Sequence, residues 1–72
     1  MKIIDGGTPK VKTITRWIEE KTPLIVKMKD GDVFRGIMIA ASGDYFDCND
    51  MEGSAGPSPL RDDVDEIREA KA

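Results

Sequence analysis

Few residues in this chain can do chemistry. It has no histidine and a single cysteine, Cys48. Histidine is the commonest general base, so nucleophilic triads and most acid–base pairs are excluded. One thiol without histidine cannot build a structural zinc site or an intrachain disulfide. The glycines form neither a phosphate-cradling GxxxxGK(S/T) run nor a GxGxxG after a strand. Asp44, Asp47, Asp50 and Glu52 are oxygen donors for a hard cation, but they lack the spacing and central glycine of an EF-hand loop, and solvated charge accounts for them. Cys48 stands between Asp47 and Asn49 with no cation beside it, the setting of a small buried hydrophobe rather than a reactive thiol. The sequence therefore predicts a protein that is not an enzyme and carries no metal or cofactor.

What remains is recognition. In Asp44-Tyr45-Phe46-Asp47-Cys48-Asn49 two rings are interleaved with hydrogen-bonding groups. On a strand, Phe46 and Cys48 face the core while Tyr45, Asp47 and Asn49 face the open side. A ring and polar neighbours at the edge of a turn suit a single-stranded base, which is stacked on one and read by the others. The alternative is that both rings simply pack.

The elements that must hold this segment can be read along the chain. MKIIDGG ends in two glycines and predicts a flexible arm over 1–7, ahead of one domain over 8–70. Thr8 suits an N-cap and Pro9 the first helical position; Val11, Ile14 and Ile18 recur on one face, with Trp17 beside them, so a helix is expected over about 9–21. Lys12 and Arg16 lie on its other face. Thr22-Pro23 ends the helix. Leu24, Val26 and Met28 then alternate with Lys27 and Lys29, and Asp30-Gly31 predicts a two-residue type I′ hairpin. The next run, DVFRGIMIAA, is a long strand in which Gly36 marks a bend or a close backbone approach. Leu24, Val26, Met28, Ile37, Ile39 and Phe46 are the expected core. Ser42-Gly43-Asp44 is a turn, YFDCND a strand and EGSAGPSP a loop. Beyond it the pattern forks. Leu60, Val64 and Ile67 have helical spacing, but Leu60 can also end a short strand, with RDD turning into a last strand at VDEI.

Charge sharpens the picture. The chain is −3 overall, with a pI near 4.8, which argues against coating duplex nucleic acid by bulk electrostatics. Residues 1–36 hold eight Lys/Arg against five Asp/Glu, and residues 37–72 hold three against nine. A mildly basic surface and a strongly acidic one are expected. No run approaches 18 apolar residues and no secretory h-region opens the chain, so a cytoplasmic location is expected. At 72 residues a lone core is marginal, and without disulfide or zinc the remaining staple is oligomerisation.

A helix, then TPLIVKMKDGDVFRGIM, a turn and DYFDCND resemble the Sm/Lsm proteins and their bacterial relative Hfq. Pro23 before the first barrel strand, Gly31 in the hairpin and Gly36 five residues on carry the likeness, and LRDDVDEI resembles the second Sm motif. Arg61-Asp62 stands where the family has Arg-Gly, and the Tyr-Lys-His signature of Hfq is missing. The resemblance implies an N-terminal helix on a strongly bent, five-stranded antiparallel Sm-like (SH3-like) barrel, with 64–67 a strand. It implies a homo-oligomeric ring of five to seven subunits that binds single-stranded RNA, U-rich or A-rich. Tyr45 or Phe46 would stack the base, Asp47 or Asn49 would meet its edge, and Arg61 would close the other side. Lys12 and Arg16 would steer phosphates on the helix side. A protein-only ring or adaptor, with a partner on the acidic face, is the competing reading.

Overall fold

The structure, a computed structural model, describes residues 2–4 and 13–70. Its elements are strand β1 (Lys2–Ile4), helix α1 (Thr13–Glu20), and strands β2 (Pro23–Met28), β3 (Val33–Ala41), β4 (Phe46–Asn49) and β5 (Val64–Glu69), with a 3₁₀ turn at Arg61–Asp63 before β5. The fold is mainly β, one five-stranded sheet in the order β1-β5-β2-β3-β4 beside one helix.

Two parts of the expected architecture are corrected. The sheet is mixed, because β1 runs parallel to β5 while the other pairs are antiparallel. The fifth strand is also not the one expected. The stretch before Leu60 contributes only isolated bridges, Tyr45 to Leu60 and Asn49 to Ala55, and the N-terminal Lys2–Ile4 supplies the extra strand. As an open ladder the sheet ends on β1 and β4. The fork after residue 60 resolves to a strand, since Val64 and Ile67 both enter the core from β5.

Within α1, Trp17 is fully buried, with Ile14 and Ile18 packed against the core. The expected start at 9–12 lies outside the described residues. The helix ends in a Schellman motif: Thr22 N–H donates to Trp17 O at 3.1 Å and Lys21 N–H to Ile18 O at 3.4 Å, with Lys21 itself at φ +53°. At its side, Trp17 Nε1 donates to Glu69 Oε2 at 2.8 Å, tying α1 to the end of β5.

The β2–β3 hairpin differs from the expected type I′ turn. Only Gly31 has positive φ, at +100°, whereas type I′ needs two such residues. Gly31 N–H donates to Met28 O at 3.0 Å and Met28 N–H to Asp32 O at 2.7 Å. This is a three-residue loop whose left-handed glycine makes a G1 bulge.

The core consists of Trp17, Leu24, Val26, Met38, Phe46, Cys48, Val64 and Ile67. Leu24, Val26 and Phe46 match expectation; Met28 is half-buried at the margin. Ile37 and Ile39 do not match: Ile37 is half-buried on the outer side and Ile39 is 45% exposed. Pairing decides this. Val26 faces Phe34, Leu24 faces Gly36 and Met38 faces Cys48, so Phe34, Gly36 and Met38 point inward. A register shift between Met38 and Ala40 then leaves Ile39 as the bulged residue. Gly36 is a close approach as expected: a Cβ there would sit 2.6 Å from Asn49 O.

Candidate nucleic-acid interface

Ser42 organises the turn between β3 and β4. Its Oγ accepts from the N–H groups of Asp44 and Tyr45, each at 3.2 Å, and its own N–H donates to Tyr45 O at 2.9 Å. The returning chain closes on this turn. Phe46 N–H donates to Pro59 O and Arg61 N–H to Asp44 O, both at 2.9 Å. Arg61 does more: its Nε donates to Ser42 O, and its guanidinium lies 4.5 Å from the Phe46 ring centre, a cation–π contact. Arg61, distant in sequence, thus joins the adjacent Tyr45 and Phe46 at one corner.

Their roles separate there. Phe46 is 0% exposed, so its ring is core and offers no face to a base. Tyr45 points the other way and is 44% exposed, beside its bridge partner Leu60 at 55%. Leu60 as a neighbour of that ring was missed by sequence reading, because only the Tyr45–Leu60 bridge brings them together.

The other expected contacts are spread out. Asp47 is half-buried and accepts from Ser58 Oγ at 3.0 Å. Asn49, half-buried at the far end of β4, lines a groove of about 450 Å³ with Ile18, Lys21, Ile37 and Ile39. Arg16 is committed to acids: its Nη2 lies 2.6 Å from Glu69 Oε2 and its Nη1 3.5 Å from Glu20 Oε1. Lys12 lies outside the described residues. Cys48 is buried, and burial together with the Asp47 charge pushes its thiol up from 9.0 to about 11; it stays protonated at neutral pH and is a poor nucleophile.

No protein-family model and no curated protein matches this chain. Among the described residues, no helix is long and apolar enough to cross a membrane.

Proposed function

We propose that the protein binds single-stranded RNA as an Sm-like module, with Tyr45 as the stacking ring. The observation that carries this reading is the corner itself: a tyrosine 44% exposed on a turn whose backbone is held from both sides. A base can stack on such a ring at little ordering cost, because the turn is already rigid. Arg61 supports the platform rather than reaching outward, since Ser42 O and the Phe46 ring already engage it. Asp47 and Asn49 lie on the same outer side of β4 as Tyr45 and supply acceptor and amide groups for a base edge.

The same reading takes the sheet as a small barrel. The bonds from Phe46 and Arg61 to the opposite segment support closure, because they carry the outer edge of β4 toward the 3₁₀ turn and β5. It also includes a homo-oligomeric ring of five to seven subunits in the cytoplasm. Such a ring has little strand edge to use: Gly56 N–H donates to Cys48 O at 3.1 Å, so the 54–61 segment already caps β4. Exposed Val33, Ile39, Met51 and Leu60 are the apolar surface left for contacts between subunits.

Anisotropy titrations of U-rich, A-rich and mixed RNA oligomers test the proposal. Tyr45→Ala is expected to weaken binding by roughly ten- to a hundredfold, from a stacking contribution of about 1–3 kcal/mol per base. Absence of RNA binding by the wild-type protein at low salt would overturn it and leave the protein-only adaptor, which those exposed apolar residues favour.

A further inference from the structure

Strand register assembles a surface that no stretch of sequence shows. On the outward side of the sheet, opposite the core residues, two rows cross four strands. One row is Lys2, Glu66, Lys27 and Val33; the other is Ile4, Arg68, Ile25 and Arg35. Lys2, Lys27, Arg35 and Arg68 are all exposed. The rows therefore hold four cations and one carboxylate.

This is not a reflection of composition. The chain has eleven Lys/Arg and fourteen Asp/Glu, so everything outside these rows holds seven against thirteen. The one acid is already engaged, since Glu66 Oε2 lies 2.5 Å from Arg68 Nη2 and 2.7 Å from its Nε. Lys2, Lys27 and Arg35 pair with no carboxylate among the described residues. Like charges on one sheet face repel, and a polyanion laid across them relieves that repulsion.

We propose that the outer face of β1-β5-β2-β3 is the phosphate track for single-stranded RNA, carried by Lys2, Lys27 and Arg35, with Arg68 beside them held by Glu66. The proposal rests on the RNA-binding reading and deepens it by moving the phosphate contacts from the helix side to the sheet. Alternation along β4 places Tyr45 and Asn49 on this same side, opposite buried Phe46 and Cys48. Base contacts and phosphate contacts then share one face of one sheet. Arg16, held by Glu20 and Glu69, has less charge to offer.

The test is the salt dependence of binding to RNA oligomers of about 12 nucleotides, followed between about 50 and 200 mM salt. Each phosphate contact contributes about 0.7 to the log–log slope for a single strand. Lys27→Ala with Arg35→Ala is expected to flatten the slope by about 1.4 and to weaken U-rich, A-rich and mixed sequences alike. Arg16→Gln, which removes the helix-side charge already held by Glu20 and Glu69, is expected to leave the slope unchanged. If RNA binds, Tyr45→Ala weakens it, and the double variant keeps the wild-type slope, the track is overturned while the RNA reading stands. If wild-type protein binds no RNA at low salt, both fall. Binding of these cations to anionic lipid vesicles in place of RNA would also overturn the track as an RNA surface.

Discussion

Phe46 and Tyr45 are neighbours with opposite duties, and alternation on β4 is the reason. Phe46→Ala removes a fully buried ring and is expected to cost about 3–5 kcal/mol in denaturant unfolding, along with the support for Arg61. A loss of RNA affinity in that variant therefore reports on folding, whereas the same loss in Tyr45→Ala, with unchanged unfolding, reports on stacking. Cys48 gives a pH signature. In the unfolded chain its thiol ionises near 9.0, but in the fold not until about 11. The folded state therefore binds a proton that the unfolded state has lost, and stability falls as pH rises from 9 to 11, by on the order of 3 kcal/mol. Comparing urea midpoints of the wild type and Cys48→Ala across that window checks the sign: the variant is expected to lose that part of the decline.

One residue just past helix α1 and one within strand β3 have a backbone that decides more than the side chain. Lys21 holds the left-handed position of the Schellman motif at φ +53°, a conformation that costs a residue with a Cβ about 1–2 kcal/mol. Lys21→Gly is expected to raise stability by about 0.5–1 kcal/mol, read as a higher urea midpoint with unchanged slope. At Gly36 the reverse holds. A Cβ would meet a backbone oxygen at 2.6 Å, with the Cys48 Cβ a further 3.8 Å neighbour. Gly36→Ala must push β3 and β4 apart, at an expected cost of about 1–3 kcal/mol.

At the scale of the molecule, charge is partitioned by the fold. A subunit of net charge −3 can bind a polyanion only where its cations are gathered, and the sheet face gathers four of them. Assembly into a ring would multiply that face with copy number. Light scattering at micromolar concentration is expected to give five to seven times the 7.9 kDa of one chain. A monomeric mass would remove the ring from the proposal and leave the face on each subunit untouched.

Much of this was written locally. The Leu24–Val26 alternation, the helix stripe around Trp17 and the positive-φ glycine at 31 follow from residue type and spacing, because each depends on neighbours within a few positions; at Gly36 the residue type marked a close approach, while the atom approached, Asn49 O, belongs to another strand. By the same logic, the inward Phe46 and outward Tyr45 were legible from period-two geometry. Three features were not. DVFRGIMIAA is apolar at both parities, so only pairing with β2 and β4 shows that Met38, not Ile37 or Ile39, enters the core. Leu60, Val64 and Ile67 fit a helix as well as a strand, and the choice is made by the β2 edge that β5 completes. The cationic face needs Lys2, Lys27, Arg35 and Arg68 to share two cross-strand rows. Periodicity tells which side of its own strand a residue takes, but which residues become neighbours across strands is set by register, a property of the folded sheet alone.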